Sequence, residues 1–319
     1  MFLPISFLPV YQTRVWGGRG IASALGRSLP GTEPIGECWE LVDRPEAQSV
    51  IAPGTSGLDG LTLREAIRGH SAAILGPGWD PERPFPILVK WLDCRERLSL
   101  QVHPPKPVAG RLGGQSKTEN WFIAACEPGA SIIVGLAPGV TSERFRAAID
   151  SGDLEACVRR VAVHPGDSVL VESGTVHAID AGNLILEVQE NSDTTYRVYD
   201  WGRVGLDGKP RTLHVEESMQ SIDFAVPPPT IVRAADQPGV LAQSPEFTLR
   251  RVPVARGGEV AFRAGEQCRI LHVIRGAFEF GGPGLTARRG DNLLVPFETE
   301  GAFRATEDSL ALITEDFSK

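Results

Sequence analysis

The stretch Leu98-Ser99-Leu100-Gln101-Val102-His103-Pro104 is the place to begin. Side chains of an extended strand alternate between its faces. Ser99, Gln101 and His103 then share one face, and Leu98, Leu100 and Val102 the other. The second face suits a core. The first carries a hydroxyl, a carboxamide and an imidazole in a row, as the wall of a polar cavity would. Around it, short apolar runs alternate with turns, and 35 glycines and 25 prolines punctuate the 319 residues. That is the pattern of a β-sandwich or barrel, a mainly β chain with a few short helices.

Strands are expected at 35–42, 87–92, 95–103, 117–123, 131–136, 161–163, 168–171, 184–189 and 195–199. Helices are expected over 61–75 and for roughly 15 residues from Thr141, where apolar residues recur at helical spacing. A proline-rich run, Val226-Pro227-Pro228-Pro229-Thr230, reads as a linker or covering segment. Further strands follow at 247–254, 259–262, 269–274, 277–280, 292–296 and 310–313. An internal repeat links the two parts. Pro165-Gly166-Asp167-Ser168-Val169-Leu170-Val171 matches Arg289-Gly290-Asp291-Asn292-Leu293-Leu294-Val295 as a Gly-Asp turn feeding an apolar strand. The first copy continues into Gly174-Thr175-Val176-His177; the second continues without a histidine. Two similar barrels are expected, one equipped for chemistry (1–225) and one not (226–319).

Composition narrows the function classes. A net charge of −8 argues against non-specific binding to nucleic acid or to an anionic membrane. No run approaches the roughly 20 apolar residues of a membrane span, and the opening residues lack the form of a signal peptide. The five cysteines are odd in number and scattered, with no CxxC pair, so reduced thiols in a cytoplasmic protein are expected.

His103 and His177 lie in polar strand contexts. With Glu119 and Gln101 they offer donors suited to a borderline divalent ion such as Zn²⁺. Spacing alone leaves open whether they bind metal or merely hydrogen-bond inside a barrel. His70, His164, His214 and His272 read as structural. The run Gln189 to Arg203 is too polar and aromatic for a simple core strand. Arg197 there, and Lys117 two residues before Glu119, would supply positive charge, or Arg197 would sit in a structural network with Asp193 and Asp200.

These segments, with Trp16-Gly17-Gly18, Gly36-Glu37-Cys38-Trp39-Glu40 and Lys117-Thr118-Glu119-Asn120-Trp121, run in the order found in a known family. The chain resembles the short bacterial type I mannose-6-phosphate isomerases, zinc-dependent cupins, over roughly residues 14–215. The resemblance implies a bicupin fold and an aldose–ketose isomerase interconverting mannose 6-phosphate and fructose 6-phosphate. It implies one Zn²⁺ per chain held by Gln101, His103, Glu119 and His177. It implies Arg197 as the active-site arginine, with Lys117 and Ser99 lining the sugar-phosphate pocket; on chemical grounds Lys117 is also a catalytic candidate, and Lys117 and Arg203 are candidate cations for binding the phosphate. The partner expected is a small sugar phosphate, with no nucleic acid or membrane, and the chain a monomer or homodimer. Pro105 and Asn120 depart from the family's common residues, and beyond about residue 225 only a degenerate repeat matches. Two other readings stand beside this one. A non-catalytic sugar-binding or regulatory bicupin would have lost a ligand or a cationic residue. A cupin dioxygenase would want more histidines, with a close pair beside His103.

Overall fold

The computed structural model describes residues 2–54, 57–281 and 284–318. Contacts divide the chain into two units, one of residues 11–38 and 90–234 and the other of 1–10, 39–89 and 235–319. This differs from the single boundary expected after residue 225. The reason is visible in the hydrogen bonds. Helix Leu63–Leu75 ends where Phe297 N donates to Ile74 O (2.9 Å), and Ile5 exchanges two bonds with Leu294 (2.7 and 2.9 Å). Residues 39–89 therefore belong with 235–319. The proline run stays with the other unit: strand Ile231–Val232 pairs with Ser168–Val171, and Arg159 Nη1 donates to Pro229 O at 2.9 Å.

The first unit is two facing sheets. The smaller runs Val158–Ala162, Ser131–Leu136, His177–Ile179, Leu100–Val102, Tyr196–Tyr199; the larger runs Ile231–Val232, Ser168–Val171, Glu119–Cys126, Asn183–Glu190, Ile87–Cys94, Ile35–Leu41, Val10–Gly18. Their inner faces share one apolar cluster, with Ile132, Val134 and Ile179 against Trp121, Ile123, Val169 and Ile185. The outer face of the smaller sheet packs Leu100, Val102, Val176, Ala178 and Val198 against Phe145 and Ala148 of helix Ser142–Ser151. That helix is shorter than expected, because Thr141 caps its start (Arg144 N to Thr141 Oγ1, 3.3 Å) and Gly152 ends it in the left-handed region.

The alternation read from residues 98–104 holds only in part. The strand is Leu100–Val102. Leu100 and Val102 join the outer core as expected, but Leu98 lies before the strand and packs inward beside Trp16.

The second unit repeats the plan with a five-stranded sheet (Gly239–Gln243, Thr248–Val254, Ser309–Glu315, Arg269–Arg275, Asn292–Val295) and a four-stranded one (Glu259–Phe262, Gly301–Ala305, Ala277–Phe280, Leu285–Arg288). The internal repeat is conformational as well as sequential. Gly166 and Gly290 have φ of 93° and 94°, which glycine adopts without strain. The following aspartates accept from the third residue back: His164 N to Asp167 Oδ2 at 2.9 Å, and Arg288 N to Asp291 Oδ2 at 2.7 Å. The registers differ in content. Val171 faces Glu119, whereas Val295, its counterpart, faces Arg269. The interior is filled by Phe262, Phe278, Phe280 and Phe303 with Val, Leu and Ile. His272, buried there, is spent on Asn292 Oδ1 and Thr314 Oγ1, both at 2.7 Å. Among the described residues no helix is long and apolar enough to cross a membrane.

This barrel is thus held by hydrocarbon. Phe303→Ala, at a fully buried site, is expected to destabilise the protein by about 3–5 kcal/mol in urea titration while leaving its metal content unchanged.

Candidate metal centre and cavity

His103, Glu119 and His177 come together at the ends of three strands. His177 opens its strand beside Gln101, and Glu119 opens the facing one, paired with Val171 and Gln189. All three are buried, at 1%, 0% and 0% exposure. The imidazoles are oriented from behind. His103 Nδ1 lies 2.8 Å from Thr194 O, and His177 Nδ1 lies 2.8 Å from Thr175 O. A carbonyl only accepts, so each Nδ1 carries the proton and each Nε2 is a bare lone pair. The turn carrying His177 is tied in turn to its partner, since Gly174 N donates to His103 O at 2.8 Å.

The two Nε2 atoms stand 3.1 Å apart, and they stand 3.4 and 3.5 Å from the Glu119 carboxylate oxygens. Neither oxygen makes a hydrogen bond of good geometry, although Lys117 Nζ lies 2.5 Å from Oε2. Converging lone pairs and a carboxylate in a dry interior are unfavourable without a cation. Zinc ligands at ~2.0–2.1 Å in a tetrahedron stand roughly 3.3–3.4 Å from one another. The three donors already have that spacing, so the residues fit a divalent ion. Gln101 reaches the same point, but with Nε2 toward His177 Nε2 at 3.3 Å; its oxygen accepts from Ser99 Oγ at 3.4 Å. To offer oxygen to an ion the amide must turn over.

Burial disfavours charge on both imidazoles. It pushes His103, with Lys117 adding to the effect, down to about 3, and it lowers His177 as well. Burial alone would raise Glu119, but Lys117 and His103 outweigh it and hold the carboxyl well below its ordinary range. Burial likewise opposes charge on Lys117. Glu119 and Glu187 prevail there, so the ammonium stays protonated above the ordinary lysine value.

Sequence reading passed over what lies behind Lys117. Successive strands of the larger sheet each turn one charge inward, and the signs alternate once Lys117, which precedes its strand, is placed between Glu119 and Glu187. Glu119 is followed across the sheet by Glu187, Lys90, Glu37 and Arg14, and Lys117 sits between the first two. Lys117 Nζ is 3.7 Å from Glu187 Oε1, Lys90 Nζ is 3.4 Å from the same oxygen and 4.0 Å from Glu37, and Arg14 pairs with both Glu37 oxygens at 3.0 and 3.1 Å. Gly36 leaves room for this: a Cβ there would stand 2.5 Å from Arg14 Cβ. The signal in the sequence was a charge in the middle of an apolar strand, as in Val89-Lys90-Trp91 and Leu186-Glu187-Val188.

A cavity of about 380 Å³ opens onto this ladder, lined by Ser99, Gln101, Lys117, Asp193, Arg197 and Arg211 among others. Small-molecule sites span about 300–1,000 Å³. Gln101 and Lys117 are its boundary with the metal ligands. Arg197, opposite Gln101 in register, has Nη1 on Thr212 O at 2.8 Å and a buried Nε without a partner. Arg203 does not line the cavity. Its guanidinium is spent on Arg97 O (2.6 Å) and Asp200 Oδ1 (2.8 Å). Arg211, which sequence reading missed, takes the place at the wall. A larger groove of about 520 Å³, lined by Gly18, Ala24, Asp93, Cys94 and Leu184 among others, lacks comparable chemistry, because Asp93 accepts from Gly20 N and Ile21 N.

Comparison with known proteins agrees. Residues 5–131 match the family model for the type I phosphomannose isomerase catalytic domain. A mannose-6-phosphate isomerase of Streptococcus mutans is 33% identical over 303 residues, covering 92% of each chain. One from Bacillus subtilis is 41% identical over 225 residues, covering 69% of this chain and 68% of its own. The crystal structure of the mannose 6-phosphate isomerase from Bacillus subtilis superposes with a TM-score of 0.85 at 30% identity, covering 98% of this chain and 99% of its own.

Because folding holds His103 and His177 neutral below the ordinary value of 6.5, the unfolded chain takes up protons that the folded one refuses. The metal-free protein is therefore expected to keep full stability above about pH 6.5 and to lose it progressively toward pH 3 in denaturant titrations. His103→Ala and His177→Ala are each expected to lose the bound metal by elemental analysis.

Proposed function

The chain belongs to the type I mannose-6-phosphate isomerases, and we propose that it works as a zinc enzyme with one ion per chain, held by His103, Glu119 and His177 with Gln101 beside them. It interconverts mannose 6-phosphate and fructose 6-phosphate. The observation that carries this is the convergence of two bare imidazole lone pairs and the Glu119 carboxylate next to a cavity walled by cationic side chains. Two imidazoles and one carboxylate also occur in non-haem iron sites; the arginines and lysines of the cavity favour a phosphorylated sugar. A cytoplasmic protein free of membrane and nucleic acid, a monomer or homodimer, is part of the same proposal and accords with the net charge of −8 and five free thiols.

Isomerisation removes a proton from the carbon beside a carbonyl and returns it one carbon over. The barrier is the negative charge of the enediolate. His103, Glu119 and His177 would hold a divalent ion, which when bound would supply Lewis-acid chemistry. Lys117, kept charged by its two carboxylates, serves as a fixed cation and not as a base. Arg197 offers its buried Nε and free Nη2 to the charge that develops on the oxygens. Ser99 contributes a hydroxyl at the Gln101 end.

The proton needs an acceptor with a free lone pair. Of the carboxylates lining the cavity, Glu37 is bound to Arg14, and Glu187 accepts from Trp121 Nε1 at 3.0 Å and pairs with two lysines. Asp193 makes no hydrogen bond or ion pair among the described residues, and we assign it the proton transfer. Its loop is rigid: Gln189 Nε2 donates to Ser192 O at 2.7 Å, and Gln115 N donates to Thr194 Oγ1 at 3.0 Å. Thr194 also supplies the carbonyl that orients His103.

A coupled assay for fructose 6-phosphate tests the reading. Activity is expected with mannose 6-phosphate, lost to a chelator and restored by Zn²⁺; an inactive, fully zinc-loaded enzyme would leave only a binding role. Arg197→Ala and Asp193→Asn are each expected to retain the metal and to lower kcat by about 10²–10⁴. Normal turnover in either removes that residue from the mechanism.

A further inference from the structure

The arginines lining the cavity, Arg14, Arg197 and Arg211, are held in different ways. Arg211 gives Nε and Nη2 to the two oxygens of Asp200, at 2.7 and 2.6 Å, and its Nη1 makes no hydrogen bond among the described residues. Asp200 is 5% exposed and also accepts from Arg203 Nη2 at 2.8 Å, while Arg203 is anchored through Nη1 to Arg97 O at 2.6 Å. A planar guanidinium gripped on two nitrogens by one carboxylate has its orientation fixed.

The segment between Asp200 and Arg211 doubles back. Val204 bridges Pro210, and Gly205 N donates to Lys209 O at 2.7 Å. Its tip stands in solvent, with Val204 48% and Leu206 58% exposed. Its root is fastened. Trp201 takes φ of 59°, a region that residues with a side chain rarely adopt. The indole donates to Leu98 O at 2.7 Å, and Arg97 stacks over the ring at 4.4 Å. A loop with a free tip needs no such root for its own sake. What the root carries into the cavity is Arg211. The group it would meet fits by charge: the edge of a guanidinium left over from a carboxylate suits a phosphoryl group, which carries about −1.5 to −2 at neutral pH.

We propose that Asp200 is a positioning residue: it holds the Arg211 guanidinium against the cavity so that its remaining edge meets the phosphoryl group of the substrate, with Arg203 bracing Asp200 from behind. This rests on the sugar-phosphate reading above. Asp200 touches no substrate and acts through Arg211.

A double-mutant cycle tests it with Asp200→Asn, Arg211→Ala and the pair, reading KM for mannose 6-phosphate, kcat, and inhibition by inorganic phosphate. Each single variant is expected to raise KM and the phosphate inhibition constant by about tenfold with a smaller change in kcat, as loss of a charge-assisted contact would. The pair is expected to be no worse than Arg211→Ala alone. Wild-type constants in Asp200→Asn, or effects that multiply in the pair, overturn the role. If Asp200→Asn does not fold, Asp200→Glu enters the cycle instead; it keeps the charge but displaces the carboxylate by one methylene, and the same non-additivity is expected. A wild-type enzyme without activity on mannose 6-phosphate defeats the substrate reading itself, whereas an active wild type with multiplying effects defeats only the part played by Asp200.

Discussion

Two imidazole nitrogens whose lone pairs face each other at 3.1 Å, with a carboxylate closing the triangle, form an arrangement that a folded chain holds only against electrostatic resistance. The backbone carbonyls of Thr194 and Thr175 fix it by claiming the Nδ1 protons, so neither ring can relieve the strain by changing tautomer. Burial then denies both rings a second proton. A cation is what remains to satisfy the three donors. Much of the first unit serves this end: two sheets are brought face to face so that His103 and His177 from one side meet Glu119 from the other.

The charge ladder behind the site follows from the same constraint. A lone lysine beside a metal-binding carboxylate would neutralise it or lose its own proton on burial. Extending the alternation through Glu187, Lys90, Glu37 and Arg14, with Lys117 between Glu119 and Glu187, lets every buried charge have an opposite neighbour, out to a half-buried arginine. The price is a sheet whose inner face is polar across five strands, and Trp121, which donates to Glu187, marks where the apolar core resumes. The second unit shows the alternative solution of the same plan. Arg269 stands where Glu119 would, phenylalanines fill the interior, and His272 has both nitrogens occupied.

The barrel plan and the Gly-Asp repeat were legible in the sequence because each rests on local rules, whereas spacing left the metal open and the ligand set came from the family resemblance. Period-two alternation marks a strand, and a Gly-Asp turn needs a positive φ. Leu98 misled because alternation extends no further than the strand, which begins at Leu100. Arg203 misled because proximity in sequence to Arg197 says nothing of which guanidinium a carboxylate will take; Asp200 takes Arg203 and Arg211 together, and only Arg211 reaches the cavity. The ladder was hidden for a similar reason. Lys90 and Glu187 each look like a blemish in an apolar strand until sheet order places them side by side. Residues 39–89 group with 235–319 by contacts, across the boundary expected after residue 225, because nothing local announces the long-range pairing of helix Leu63–Leu75 with Phe297.

The most direct test of the triad is an anomalous-scattering map from a crystal grown with zinc. A single peak is expected within ~2.0–2.2 Å of His103 Nε2, His177 Nε2 and a Glu119 oxygen. A zinc-replete crystal with its peak elsewhere, and these three side chains hydrogen-bonded among themselves or to water, would contradict it.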